Sequence, residues 1–133
     1  MKPFHLTIVT PYGKIYDGQA ESLTVRTIDG DVGILAGHID YLTALGMGLS
    51  KVIIEGKTRR AACIGGMLSV SHGEVTLVAT TFEWAEEIDV DRAQRSAARA
   101  QAVLDSRSSH TSEEIALAEA RLKRALVRTG AAK

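Results

Sequence analysis

The chain has 133 residues, of which 45% are hydrophobic and 24% charged, and its formal net charge at neutral pH is zero. This composition is typical of a folded globular protein, and the lack of net charge provides no general attraction to nucleic acid or to anionic lipid. A single cysteine excludes an internal disulfide framework, and the first residues predict neither a signal peptide nor a membrane span. We therefore expect no nucleic-acid partner, and membrane association only through another protein.

Residues 1–84 have the pattern of a β domain. Every Phe, Tyr and Trp, both prolines and all glycines except Gly130 lie in this part of the chain. Apolar and polar residues alternate in several short segments, which is the period of half-buried strands. The clearest segments are 4–8, 14–16 (closed by Asp17-Gly18), 23–27 and 74–81. Turn residues separate them without intervening helices, so the sequence predicts an antiparallel β-sandwich or barrel.

Residues 85–133 have a helical period instead. Asp89 is well placed as the N-cap of a first helix, and Thr111 with Glu114 forms a capping-box pattern before a second helix. Residues 105–110 are polar and predict the connecting loop, and Gly130 predicts the end of the second helix. The two helices are expected to form an antiparallel hairpin. Their apolar stripes repeat every three or four residues and consist mainly of Val90, Ala93, Ala97, Ala100, Leu104, Ile115, Ala118, Leu122, Ala125 and Thr129.

The alanine-rich seam of this hairpin predicts weak docking. Each buried methylene contributes about 0.8 kcal/mol, so alanine contacts stabilise far less than leucine contacts. Isolated helices of roughly this length are marginal in water. We therefore expect a hairpin that can leave its partner surface, although a stable structural hairpin remains the alternative.

Each predicted helix carries a row of three arginines, spaced three and then four residues apart. The first row is Arg92, Arg95 and Arg99, and the second is Arg121, Arg124 and Arg128. In an antiparallel hairpin the two rows can flank one groove, where guanidinium groups suit phosphate. The alternative is two solvated basic faces balanced by acidic neighbours.

No arrangement typical of an active site is present. The four histidines are too scattered for a metal site, and no nucleophile motif or P-loop occurs. Cys63 lies in an apolar run and predicts a buried, inert thiol. Gly65-Gly66 predicts a bulge or a close approach between backbones. The sequence thus favours a protein that is not an enzyme.

Four stretches, taken together and in this order, resemble the ε subunit of bacterial F-type ATP synthases. They are Thr10-Pro11-x-Gly13, the run from Gly30 to His38, the Gly65-Gly66 pair and Ile88-Asp89-x-x-Arg92-Ala93. The resemblance covers essentially the whole chain. It implies an α+β protein: a β-sandwich of about ten antiparallel strands in residues 1–84, then a regulatory antiparallel helical hairpin in residues 85–133.

The resemblance also implies a place in the rotor. The sandwich is expected to contact the γ subunit and the membrane ring of c subunits, with Asp31 and His38 at the c-ring interface. The helices are expected to reach the catalytic β and α subunits and to inhibit ATP hydrolysis. The chain is then a non-catalytic subunit of a proton- or sodium-translocating enzyme, peripheral on the cytoplasmic side of the cell inner or plasma membrane.

In some bacterial members of that family the folded hairpin binds ATP as a regulatory ligand. No metal and no catalytic cofactor is implied. By resemblance the ATP-binding residues are Glu83, Ile88, Asp89, Arg92, Ala93, Arg99, Arg124 and Arg128. Arg121 competes with Arg124 and Arg128 for the second-helix positions, and the role of Arg95 is open. The alternatives are a stalk spacer that senses no nucleotide and a free-standing ATP-binding sensor.

Overall fold

A computed structural model describes residues 2–132, so the ends of both predicted domain ranges, residues 1 and 133, lie outside the described part. In the described part, eight strands are followed by two helices. The strands are β1 Phe4–Thr10, β2 Gly13–Ala20, β3 Ser22–Thr27, β4 Gly30–Ile34, β5 Tyr41–Ala44, β6 Met47–Ile54, β7 Lys57–Ser71 and β8 Glu74–Trp84. The helices are α1 Val90–Asp105 and α2 Ser112–Ala132, with short 3-10 turns at Ala85–Glu87 and Arg107–Ser109.

The strands form a sandwich around one core. Their hydrogen-bonded order is β2-β1-β8-β7-β6-β3-β4, with β5 paired to the far end of β7. All of these pairs are antiparallel except β1 with β8, which is parallel. The predicted class, a sandwich followed by two helices, is confirmed. The count is eight strands rather than about ten, because β7 and β8 each run unbroken along both halves of the sandwich.

The paired strands β7 and β8 twist near their middle, so that the alternation of core-facing and outward-facing side chains is reversed there. In β7 the core-facing positions change from Ala61 and Cys63 to Leu68 and Val70, which is a change from odd to even numbers. The antiparallel register stays the same on both sides of this point. The change coincides with Gly65 and Gly66, whose φ angles of +71° and +118° are accessible mainly to glycine. As a result, Ala62 and its neighbour Glu83 point outward, away from the core.

The predicted close approach at this glycine pair is present. A Cβ atom on Gly66 would lie 2.0 Å from the carbonyl oxygen of Val78. No shift of register accompanies it, so the pair is not a bulge. The expectation that Asp17-Gly18 closes a strand is wrong, because both residues pair with β1 and β2 continues to Ala20.

The hairpin lies against the outer face of β6 and β7, and α2 makes the main contacts. Ala62, Ile88 and Ala131 are buried together there. The prediction that Gly130 ends α2 is wrong, because the helix continues to Ala132. Two contacts hold this last turn in place: Ala131 is buried, and Arg60 Nη2 donates a hydrogen bond to the Gly130 carbonyl oxygen at 3.0 Å. The hairpin is therefore in its folded arrangement.

Candidate functional site

The junction between β8 and α1 is held by an aromatic and ionic cluster. Trp84, the last residue of β8, is buried, and the Arg59 guanidinium lies 3.8 Å from the centroid of its ring. Arg59 also pairs with Glu86 in the 3-10 turn. A backbone hydrogen bond and the contact with Arg59 hold the pKa of Glu86 below its ordinary value. These contacts fix the direction in which the chain leaves the sandwich.

The first turn of α1 presents the residues of the predicted motif. Asp89 is the N-cap, and its Oδ1 accepts a hydrogen bond from the Arg92 amide at 3.0 Å. This confirms the predicted start of the helix. The Ile88 side chain points to the sheet, where it packs with Ala62 and Ala131. Ala93 is buried, whereas Arg92 is exposed on the adjacent face.

An ion pair joins the sandwich to α2 at the same place. Arg128 Nε donates to Glu83 Oε1 at 2.6 Å, and both side chains are about two-thirds buried, with 30% and 33% of their surface exposed. Glu83 is held by the register of β8 and Arg128 by the C-terminal half of α2. Two residues predicted to bind ATP therefore form an ion pair with each other.

These elements surround a groove of about 400 Å³ between the two helices and the end of β8. Its walls are mostly charged. The lining residues are Glu83, Glu87, Asp89, Arg92, Ala93, Ser96, Arg99, Ala125 and Arg128. Three carboxylates and three guanidinium groups thus share one site, which offers both acceptors and donors to a ligand with hydroxyl, amino and phosphate groups.

Six of the eight predicted ATP-binding residues line this groove, namely Glu83, Asp89, Arg92, Ala93, Arg99 and Arg128. Ile88 lies beneath it, in the contact with the sheet. Arg124 is half-buried and is not among the lining residues. Arg121 and Arg95 are exposed, and Arg121 lines an adjoining cavity instead. Of the three second-helix candidates, the structure places only Arg128 in the groove.

Three lining residues were not predicted: Glu87, Ser96 and Ala125. Ser96 lies four residues after Arg92 and three before Arg99, so helical spacing was sufficient to place it on the same face. Ala125 belongs to the predicted apolar stripe of the second helix. Glu87 enters the groove through the 3-10 turn after Trp84, which no pattern in the sequence indicated.

Of the two residues predicted to contact the c-ring, Asp31 is the second residue of β4, and His38 lies in the loop that follows this strand. Asp31 is exposed and forms a 3.5 Å ion pair with Arg26 on the paired strand β3. His38 is half-buried; its Nδ1 donates to the Ile39 carbonyl oxygen at 2.7 Å, and its ring lies beside Tyr41. No hydrogen bond or ion pair within residues 2–132 joins Asp31 to His38. Four large apolar side chains near these residues in the sequence are exposed: Ile28, Leu35, Ile39 and Leu42.

Neither the cysteine nor the potential metal ligands in residues 2–132 form a further reactive or metal-binding site. Cys63 is buried, as expected, and burial raises the pKa of its thiol to about 11. No cluster of three or more potential metal ligands occurs in the described range. Neither α1 nor α2, nor any other helix in residues 2–132, has the length and hydropathy required to span a membrane.

Comparison with known proteins gives matches along the whole chain. Residues 3–85 match the family model described as the beta-sandwich domain of the ATP synthase delta/epsilon chain. Residues 86–133 match the model described as the long alpha-helix domain of the same chain. The ATP synthase epsilon chain of Caldanaerobacter subterraneus subsp. tengcongensis is 40% identical over 128 residues, which cover 96% of this chain and 91% of the relative. That of Bacillus subtilis is 41% identical over 111 residues, 84% of each chain.

Solved structures with the same fold come from rotary assemblies. A chain in the Euglena gracilis mitochondrial ATP synthase, OSCP/F1/c-ring in rotational state 1, superposes with a TM-score of 0.86 at 25% identity, covering 98% of this chain and 82% of that chain. A chain in the central stalk/c-ring structure of the Tetrahymena thermophila mitochondrial ATP synthase has a TM-score of 0.63 at 16% identity, covering 97% and 96%. The second likeness concerns the fold alone.

Proposed function

We propose that this chain, which belongs to the ATP synthase delta/epsilon chain family, is a non-catalytic central-stalk subunit whose helical hairpin binds ATP as a regulatory ligand. In the absence of ATP, the hairpin leaves the sandwich and inhibits ATP hydrolysis. The sandwich contacts the γ subunit and the c-ring, and the released helices contact the catalytic β and α subunits. The protein is then peripheral to the membrane, on its cytoplasmic side.

The groove between the helices is the observation that carries the proposal. It is assembled from β8, α1 and α2, so it exists only while the hairpin is folded. Arg92 and Arg99 line it without an ion pair to any carboxylate in residues 2–132, whereas Arg128 is paired with Glu83. Two unpaired guanidinium groups on one helix face are suited to phosphate oxygens. The carboxylates of Glu83 and Asp89 can accept hydrogen bonds from the amino and hydroxyl groups of a nucleoside.

The energetics fit a regulatory ligand. The buried apolar contact between the hairpin and the sheet is small and consists of Ala62, Ile88 and Ala131. A ligand that binds only the folded state stabilises it by RT ln(1 + [L]/Kd). At one hundred times Kd this term is about 2.7 kcal/mol, which is enough to shift a marginal two-state equilibrium. ATP is a signal in this scheme and not a substrate, in keeping with a non-catalytic stalk subunit.

The c-ring contact is assigned to the segment 28–39, which contains Asp31 and His38. The exposed side chains of Ile28, Leu35 and Ile39 in this segment supply apolar area for a protein interface, and Asp31 supplies a charge. Replacing Asp31 by Ala and, separately, Ile39 by Ser tests the assignment, with co-purification of the rotor as the measurement. Retention of both variants in the assembled enzyme contradicts it.

Isothermal titration of the full chain with ATP tests the regulatory site. We expect saturable heat, and we expect R92A and R99A each to weaken binding by about tenfold or more, since a charge-assisted hydrogen bond contributes roughly 1.5–3 kcal/mol. R95A is the matched control, because Arg95 belongs to the same row but does not line the groove. Absence of heat at millimolar ATP removes the sensing role.

A purely structural spacer is the second candidate, and three contacts favour it. The Glu83–Arg128 pair, the Arg60–Gly130 hydrogen bond and the burial of Ala131 join the hairpin directly to the sandwich. Truncation after Glu87 separates the two functions, because it removes both helices and keeps β8 complete. Faster ATP hydrolysis by the assembled truncated enzyme supports the inhibitory hairpin, and unchanged hydrolysis supports the spacer.

A further inference from the structure

We propose that the groove continues past Arg99 into a second anion subsite, in which Arg121 binds a further phosphate of an extended phosphate chain. This inference rests on the proposed binding of a nucleotide between the helices. It adds a ligand class, nucleoside polyphosphates longer than a triphosphate, and a residue that determines the preferred chain length.

The subsite is a cavity of about 440 Å³ that adjoins the first groove. Ser96 and Arg99 line both spaces, so the two border each other along one face of α1. The remaining lining residues come from α1 and α2 and are Ala100, Val103, Glu114, Leu117, Ala118 and Arg121. A phosphate chain that passes Arg99 is therefore directed towards the cavity that Arg121 lines.

The charges are distributed unevenly along this path. Glu83, Glu87 and Asp89 all lie where the helices leave the sandwich, at the end of the groove next to β8. The far end has two guanidinium groups, Arg99 and Arg121, and one carboxylate, Glu114. A phosphate chain is expected to run away from the acidic end, towards Arg99 and the second cavity.

The one carboxylate that lines the second cavity already has hydrogen-bond partners on its own helix turn. Glu114 accepts hydrogen bonds from the Thr111 hydroxyl at 3.1 Å and the Thr111 amide at 3.4 Å, and it pairs with His110 at 2.8 Å. Neither Arg99 nor Arg121 forms an ion pair with a carboxylate in the described part of the chain. Two facing helices thus present unpaired guanidinium groups to the same cavity, a pair that an intervening anion stabilises.

The walls of the cavity strengthen this attraction. Between the charged residues they consist of Ala100, Val103, Leu117 and Ala118, of which Ala100 and Ala118 are buried. Apolar walls lower the local dielectric constant and focus the field of the charges that border them. Planar guanidinium groups can each donate two parallel hydrogen bonds to one phosphate. The two guanidinium groups at this cavity are therefore suited to a terminal phosphate.

Titration of the full chain with ATP and with adenosine 5′-tetraphosphate, both in excess chelator, tests the subsite. We expect the tetraphosphate to bind about tenfold more tightly than ATP. R121A should remove this gain while changing the ATP affinity by less than about twofold, and R121K should keep part of it because the charge remains. K123A is the matched control, since Lys123 is an exposed cation on the same helix that lines neither cavity.

Each outcome decides the matter. Equal affinities for the two ligands, with clear heat from ATP, overturn the second subsite and leave the regulatory site intact. A loss of ATP affinity in R121A as large as the loss of tetraphosphate affinity also overturns it, because Arg121 then belongs to the triphosphate site. Heat from neither ligand overturns the proposed nucleotide binding itself. Because Arg121 is exposed, we expect circular dichroism of R121A to show unchanged helix content.

Discussion

Glu83 and Arg128 are 45 residues apart in the chain, yet their side chains meet at 2.6 Å across the boundary between the sandwich and α2. Next to Glu83 in the sheet register is Ala62, which is fully buried beneath Ala131 and Ile88. Together with the Arg60–Gly130 hydrogen bond, this ion pair and this small apolar cluster anchor the C-terminal half of α2 to the sheet. The ligand proposed for the interhelical groove would act directly on this anchorage, because both members of the pair line that groove.

R128A is expected to weaken the docking of the hairpin. The change removes a partly buried ion pair and leaves the Glu83 carboxylate facing the helices, at a cost of about 1 kcal/mol. Amide hydrogen exchange of residues in α2 measures the effect directly, since local opening becomes more frequent. R95A, which removes an exposed arginine from α1, should leave exchange unchanged; equal acceleration in both variants contradicts the proposed role of the pair.

A62L is expected to displace the hairpin by overpacking. Ala62 has no exposed surface, and a leucine there has no space between the sheet and α2. The expected cost is about 1–3 kcal/mol, which is comparable with the weak docking of an alanine-rich hairpin. Limited proteolysis should then cleave within residues 88–132 faster than in the unmodified chain. The matched variant A116L places the same side chain at an exposed position of α2 and should be cleaved at the original rate.

The stability of the sandwich should depend on pH through His5. Hydrogen bonds to Asp17 at 2.6 Å and to Glu74 at 2.5 Å raise the pKa of His5 above its ordinary value. Because the pKa is raised in the folded state, the stabilisation is complete below the unfolded pKa of about 6.5 and is lost as the pH rises through the folded pKa. The free energy of unfolding, measured by urea denaturation, should exceed that of H5Q by more at about pH 6 than at about pH 8.5. A difference that does not change with pH rules out the protonated bridge.

G66A should strongly destabilise the sandwich. The added Cβ would lie 2.0 Å from the Val78 carbonyl oxygen, and the φ angle of +118° is unfavourable for alanine. Strain of this kind together with the steric overlap costs about 3 kcal/mol or more. G33A is the control, because Gly33 has an ordinary φ angle and no neighbouring atom within 4 Å of the added carbon. Thermal unfolding of the two variants should separate them clearly, and similar melting temperatures contradict the close-approach argument.

Features that depend on neighbouring residues were predictable from the sequence. The N-cap at Asp89 and the capping box of Thr111 with Glu114 are both present, because each consists of side chains that bond to their own helix turn. The alanine stripe correctly indicated the seam of the hairpin, in which Ala93, Ala100, Ala118 and Ala125 are buried.

Features set by distant parts of the chain were not predictable in the same way. Gly130 is typical of a helix end, yet α2 continues to Ala132. The Gly130 carbonyl oxygen accepts a hydrogen bond from Arg60, which lies 70 residues earlier, in β7. Asp17-Gly18 has the composition of a turn, but pairing with β1 keeps it extended. Tertiary pairing outweighs local propensity in both places. The Glu83–Arg128 pair could likewise not be predicted from any local pattern, because it forms only when α2 docks on the sandwich.

The reversal of the side-chain alternation in β7 and β8 makes the groove sensitive to insertions and deletions. Side chains alternate between the two faces of a strand, so one residue added between Ala79 and Phe82 would exchange inward and outward positions up to Trp84. The Phe82 ring would then face the helices, and the Glu83 carboxylate would enter an apolar core with no partner. We therefore expect insertions and deletions to be tolerated far less in segment 79–82 than in the loop 106–111, where added residues leave every strand in register.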